Sequence, residues 1–271
     1  MSSVESEESA TRESKRRLDT FFRSLSAGAA LVLDYDGTLA PFRVERSLAV
    51  PYPGVRESLG AILAAEGTRV VLISGRAPEE VRDLLAIDPP PEIWGVHGQR
   101  RLWPDGHTDV VPVRASDQRA LDQAAGWVAH HGFTEMAEFK PGSIALHWRG
   151  MPAEQAGQAR EAVRGEWGGL ADSAGMSLLE FDGGMELRPR EPNKGSAVLA
   201  LRAELGPDSP FAFLGDDATD EDAFRALSGT TALTVLVRPE WRESAACAWI
   251  RPPEELLWFL DEWRKRSGAR E

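Results

Sequence analysis

Leu31-Val32-Leu33-Asp34-Tyr35-Asp36-Gly37-Thr38 is the stretch that decides the fold: a buried aliphatic strand runs straight into two carboxylates separated by one residue. Working outward, the same rhythm repeats. Val55 to Ala65 carries apolar residues at helical spacing, and Arg69-Val70-Val71-Leu72-Ile73 is a second buried run ending at Ser74-Gly75-Arg76. A helix over about Pro78 to Leu85, with proline at an early position, leads to Ile93-Trp94-Gly95-Val96. Short apolar strands alternating with helices predict βαβ units, an α/β fold with a parallel sheet flanked by helices. The rhythm resumes at Lys194, with a helix to about Leu205, a buried strand Phe211 to Leu214 and a helix opening near Thr219. A strand Leu233 to Val237 and a closing helix from about Pro253 to Arg266 complete it.

Between these halves the pattern changes. Arg101 to Val113 reads as a hairpin turning at Asp105-Gly106, followed by a helix from about Asp117 to His130. Met136 to Lys140 and Ile144 to Trp148 form a strand pair around Pro141-Gly142. After a helix from Ala153 to Trp167, Ser177 to Phe181 and Met185 to Arg188 pair around Asp182-Gly183-Gly184. Two hairpins and two helices make a compact α+β insert. Residues 1–16 are rich in Ser and Glu and poor in bulky apolar side chains, so a disordered tail is expected there. The expected organisation is a tail at 1–16, an α/β core at 17–112 and 187–271, and an insert at 113–186.

Bulk properties narrow the function. The chain has 271 residues, enough to bury a core without disulfides, and its single cysteine, Cys247, has no partner for an intrachain bridge. With no apolar N-terminal segment, a reducing cytoplasm is expected. No apolar run approaches the ~18–20 residues of a membrane span. The net charge of -12, from 43 acidic against 31 basic residues, argues against nucleic acid or an anionic membrane as partner.

Chemistry concentrates at strand ends, where open α/β sheets place ligands. Asp34 and Asp36 can divide labour there, one attacking phosphorus and the other protonating a poor leaving oxygen and later activating water. Gly37 admits close approach of an oxyanion and Thr38 offers a hydroxyl. Taken alone, the same residues would serve equally as a strand-terminating turn. Gly215-Asp216-Asp217-Ala218-Thr219-Asp220-Glu221-Asp222 follows another buried strand and would be strongly repulsive without a cation. Mg²⁺ suits such oxygen donors. An acid-rich helix start with Thr219 and Asp222 as a capping pattern accounts for Asp220 to Asp222, but leaves Asp216 and Asp217 unexplained. Ser74 and Lys194, at a strand end and a helix start, could hold phosphoryl oxygens.

These four segments resemble the four motifs of the haloacid dehalogenase superfamily of phosphohydrolases, whose Rossmann-like core carries an α+β cap of type C2 at the place of the insert. Within it the chain is most similar to the trehalose-6-phosphate phosphatase family, from about Phe21 to its end. The likeness lies in Glu138-Phe139-Lys140-Pro141-Gly142-Ser143-Ile144-Ala145-Leu146-His147-Trp148-Arg149, in Met185-Glu186-Leu187-Arg188-Pro189, in Asn193-Lys194-Gly195 and in Gly215 through Phe224.

The resemblance implies Asp34 as nucleophile, Asp36 as acid/base, and Ser74 and Lys194 on phosphate. It also implies Asp34, the Asp36 carbonyl and Asp216 around Mg²⁺, with Asp217 and Asp220 beside or behind the metal. Substrate contacts fall to Gly75, Arg76, Glu138, Lys140, Arg149 and Glu186. The implied ligand is a small sugar phosphate, and coupling to trehalose-6-phosphate synthase, which makes it, is a further expectation. One departure is Val96-His97-Gly98-Gln99-Arg100, where the family has Asn in place of Val96 and an acid further on. The alternatives are another sugar-phosphate phosphatase, a sugar phosphomutase, or a non-catalytic sugar-phosphate-binding module.

Overall fold

The computed structural model describes residues 3–43, 45–140, 142–181 and 183–268. The chain divides into two compact units, 1–109 with 193–271, and 110–192.

In the first unit the described strands form one eight-stranded sheet. In chain order they are β1 (Ala29–Leu33), β2 (Thr68–Ile73), β3 (Glu92–Gly95), β4 (Arg100–Leu102) and β5 (Thr108–Val110), then β10 (Phe211–Gly215), β11 (Leu233–Val237) and β12 (Ala248–Ile250). The spatial order is β12-β11-β10-β1-β2-β3-β4-β5, parallel from β12 to β3 and antiparallel between β3 and β4. All five residues of β1 are buried because both faces are covered. Leu31 and Leu33 join Leu72, Leu214, Phe259 and Trp263 on one face. Ala30 and Val32 join Val71, Phe213, Val198 and Phe224 on the other. The helices responsible are α1 (Ser3–Ser24), α2 (Val55–Ala64), α3 (Pro78–Leu85), α6 (Lys194–Leu205), α7 (Asp220–Ala226) and α8 (Glu254–Ser267). The chain leaves β1 for β2 on one side and reaches β10 on the other, so β1 and β10 flank the point where strand order reverses. That is where such a sheet opens a crevice.

The second unit is a four-stranded antiparallel sheet, β6-β7-β9-β8, built from β6 (Ala137–Lys140), β7 (Ser143–His147), β8 (Met176–Phe181) and β9 (Gly184–Pro189). Helices α4 (Ala115–His130) and α5 (Ala153–Ala174) share its apolar core, where Leu121, Val128, Val163 and Trp167 meet Ile144, Leu146, Met185 and Leu187. Strand alternation leaves the residues between those four sheet positions on the opposite face.

The structure departs from the sequence reading in four places. Residues 1–16 are not a disordered tail: from Ser3 onward they belong to α1, while Met1 and Ser2 lie outside the described residues. Leu18, Phe21 and Phe22 bury one stripe of that helix, and Leu25 just beyond its end is buried with them. Its earlier turns are held by Glu13 pairing with Arg16 and Arg17, and by the Ser14 hydroxyl, which accepts the Trp249 N–H at 2.7 Å. Second, β12 is a strand of only three residues, below what periodicity resolves. Third, α5 runs seven residues past Trp167, through Gly168 and Gly169, because Ala171 is still buried and the left-handed terminator is Gly175. Fourth, a boundary at 186/187 would cut β9, which pairs with both β7 and β8. Pro141 and Asp182, expected in the two hairpin turns, lie outside the described residues.

Candidate active site

Asp34 leaves the end of β1 with its N–H donating to Leu214 O at 2.8 Å, which sets its side chain at the reversal point between β1 and β10. The chain then folds back on itself: Leu39 and Ala40 both donate to Tyr35 O, and Gly37 N–H donates to Ala40 O at 2.7 Å. Gly37 has φ +83°, and a Cβ there would overlap the Asp216 carboxylate. Gly215 is constrained likewise, since its Cβ would collide with the Asp220 side chain. Both glycines therefore make room for acids.

Lys194 is the first residue of α6, placed by a reciprocal cap in which Asn193 Oδ1 accepts from Ser196 N–H and Ser196 Oγ accepts from Asn193 N–H, both at 2.9 Å. Its ammonium donates to Asp34 Oδ1 and to Asp220 Oδ1, each at 2.7 Å. Thr38 Oγ lies 3.5 Å from Asp34 Oδ2 and 3.4 Å from Asp216 Oδ1. Asp34, Asp216 and Asp220 are all buried, and each offers one oxygen within 4.8 Å of the others.

The electrostatics express too little positive charge. Burial is the main cause that raises the Asp34 carboxyl to about 6, with Lys194 opposing and the Asp217 charge adding to it. Burial again comes first in pushing Asp216 and Asp220 well above the carboxylate range. Burial would lower Lys194, but Asp220 and Asp34 outweigh it and raise its ammonium above the ordinary lysine value. One ammonium thus faces several carboxylates, and the all-oxygen donor set of Asp34, Asp216 and Asp220 fits a hard divalent cation.

The other expected residues fall as follows. Asp36 accepts both donors of an Arg76 fork, at 2.6 and 2.7 Å, and Arg76 also bonds Glu80 on α3. Ser74 follows β2, its N–H donating to Trp94 O at 2.9 Å and its hydroxyl accepting the Arg76 N–H at 3.2 Å. Gly75 packs against the buried His97 imidazole. Asp217 does not join the cluster of three. Its Oδ1 accepts from the N–H and hydroxyl of Thr219, both at 2.7 Å, and from Asp220 N–H at 3.3 Å. Burial would raise this carboxyl, yet the Lys194 charge and those donors hold it down at about 2. Asp217, not Thr219, supplies the side-chain cap of α7. Val96 and His97 both take left-handed backbone, φ +51° and +56°, a conformation that Asn tolerates and a β-branched side chain resists.

In the second unit, Glu138 and Lys140 share a face of β6 with Glu186 of β9. Lys140 Nζ lies 3.5 Å from Glu138 and 3.2 Å from Glu186. Two residues not singled out from the sequence join them. His147 Nε2 is 3.0 Å from Glu138 Oε2, and Ser143 Oγ donates to Glu186 Oε1 at 2.7 Å. Their signal was period-two spacing on β7, Ser143 and His147 falling four apart on one face. Arg149 follows β7 and packs its side chain on Gly183.

Known proteins resemble this chain over most of its length. A family model described as Trehalose-phosphatase covers residues 32–245. An uncharacterized glycosyl hydrolase of Mycobacterium tuberculosis is 32% identical over 250 residues, and the match takes in 86% of this chain but only 18% of that protein's length. The trehalose-6-phosphate phosphatase of Escherichia coli is 30% identical over 221 residues, 79% of each chain. Among solved structures, the C-terminal domain of C. albicans trehalose-6-phosphate phosphatase superposes with TM-score 0.73 at 20% identity, over 93% of this chain and 96% of that one, and so shares the fold. With 214 of 271 residues inside the family model, the chain belongs to the trehalose-phosphatase family.

Proposed function

We propose that this protein hydrolyses trehalose 6-phosphate to trehalose and inorganic phosphate, with Mg²⁺ as cofactor. The observation that carries the reading is the buried convergence of Asp34, Lys194, Asp216 and Asp220 at the ends of β1 and β10. Asp34, Asp216 and Asp220 would hold Mg²⁺. When bound, the ion offsets carboxylate repulsion and neutralises phosphoryl charge.

The remaining chemistry belongs to the side chains. An Asp34 oxygen attacks phosphorus as the bond to the sugar oxygen breaks, leaving an aspartyl phosphate. Once Arg76 releases the carboxylate it now grips, Asp36 takes up a proton from solvent and gives it to the departing sugar oxygen. Asp36 then takes a proton from the water that attacks phosphorus, restoring Asp34. Lys194 steadies Asp34 and neutralises equatorial phosphoryl charge, to which the Ser74 hydroxyl donates a hydrogen bond. We assign recognition of the disaccharide to Glu138, Lys140, Arg149 and Glu186. Hydrogen bonding by such charged groups rejects ligands that would leave them unpaired.

The test is phosphate release from a panel of sugar phosphates that includes trehalose 6-phosphate, with Mg²⁺ or with chelator. Asp34→Asn is run in parallel. Trehalose 6-phosphate should be the preferred substrate, turnover should need Mg²⁺, and Asp34→Asn should lose at least ~10³-fold. Strong preference for another sugar phosphate, or substantial turnover by a clean Asp34→Asn preparation, overturns the reading.

A further inference from the structure

Asp216 and Asp217 lie between β10 and α7, where no ladder serves their backbone. Both N–H groups donate to Asp220 Oδ2, at 2.9 and 3.0 Å. Their carbonyls are met from the other side by two arginines absent from the motifs above. Asp216 O accepts from Arg238 Nη1 and Arg242 Nη2, each at 3.2 Å, and Asp217 O accepts from Arg242 Nη2 at 2.9 Å.

Each arginine is itself anchored. Arg238 prolongs β11, its N–H donating to Ile250 O at 3.0 Å and its carbonyl accepting the Trp249 indole N–H at 2.9 Å. Arg242 Nη1 donates to Glu221 Oε1 at 2.6 Å and to Glu243 O at 2.9 Å. The Ser244 hydroxyl, at 2.7 Å, and the Ala245 N–H, at 2.9 Å, complete the Glu221 carboxylate. Residues 242–245 thereby close on the first turn of α7.

A planar guanidinium can serve two carbonyls and a carboxylate at once, whereas an ammonium offers no such fixed fork. Glu221 balances the Arg242 charge, so the contribution of Arg242 is geometric. With its N–H groups and its carbonyls both held, the loop has its Asp216 side chain aimed before a cation arrives. Groups of this kind around a metal ligand set its affinity.

We propose that Arg242, aimed by Glu221 and assisted by Arg238, is a positioning residue that preorganises Asp216 for divalent-cation binding. This rests on the metal role given to Asp216 above.

The experiment titrates the metal-free full-length protein with Mn²⁺, following the free ion by electron paramagnetic resonance. Wild type is compared with Arg242→Ala, Arg242→Lys, Glu221→Gln and the exposed control Arg12→Ala, whose side chain pairs with Glu8 on α1. Arg242→Ala and Arg242→Lys should weaken Mn²⁺ binding by about 10–100-fold, the cost usual for groups that orient metal ligands. Glu221→Gln should weaken it less, and Arg12→Ala should match wild type. In phosphate release, the shift should fall on the metal concentration needed, with kcat largely recovered at saturation.

If Arg242→Ala does not fold, Arg242→Lys and Glu221→Gln with wild-type circular dichroism decide the question. Wild-type Mn²⁺ affinity in folded Arg242→Lys overturns the proposal, as does equal weakening by Arg12→Ala. A wild-type protein inactive on every sugar phosphate would overturn the phosphatase reading alone, since Mn²⁺ binding is measured without turnover.

Discussion

At the scale of single residues, Lys194 carries the largest load. It is buried, and its ammonium is shared by Asp34 and Asp220 at 2.7 Å each. Lys194→Met keeps the stem but leaves both carboxylates buried without their counter-charge. Removing one partner of a buried ion pair typically costs about 3–5 kcal/mol. We expect a loss of that size in urea unfolding with chelator present, partly restored by saturating Mg²⁺, and phosphate release reduced at least ~10²-fold. Undiminished stability in chelator would show that the ammonium is not what offsets these acids. The positions of Asp34, Asp36 and Asp216 at strand ends and of Lys194 at a helix start were legible in the sequence. The partners that aim them were not: Arg76 on Asp36 and Arg242 on Asp216 O join positions 40 and 26 residues apart, which no local pattern records.

At the scale of elements, helix ends were read correctly where capping chemistry is local. Pro78 opens α3 as expected, and α6 begins at the expected Lys194, behind an Asn193 cap that the structure shows. Caps made by less usual residues were not. The C-terminal end of α3 is Ala86 at φ +51°, exposed, with its N–H on Arg82 O at 2.9 Å. An L-residue with a Cβ pays about 1 kcal/mol in this conformation, which glycine avoids. Ala86→Gly should therefore stabilise the protein by about 1 kcal/mol and raise its Tm by about 2–4 °C. A lower Tm by calorimetry would show that the gain in unfolded-chain entropy outweighs relief of strain. The α7 start follows the same lesson. Thr219 looked like its cap, yet Asp217 takes that role three residues before Asp220, because the loop turns back on its own N–H groups.

At the scale of the whole molecule, Ser14 shows what only folding decides. Its hydroxyl accepts the N–H of Trp249, 235 residues away, on edge strand β12. Ser14→Ala would leave that buried N–H without a partner, a cost of about 1–3 kcal/mol. Chemical denaturation should report the loss with catalysis unchanged, and a shift within error would show that water reaches the edge. The composition of residues 1–16, mostly Ser, Glu and Arg, gave no sign of this contact, since a polar segment folds here only because the sheet edge and the Leu18–Leu25 stripe receive it. The sequence by itself determined the α/β rhythm, the insert, the acidic strand ends and the family. These depend on near-neighbour patterning of apolar residues and on motifs of a few consecutive positions. Tertiary structure alone decided which carboxylates meet. Asp220 joins Asp34 and Asp216 while Asp217 turns to cap α7, because burial beside one ammonium and the paths of two glycines leave room for three oxygens there.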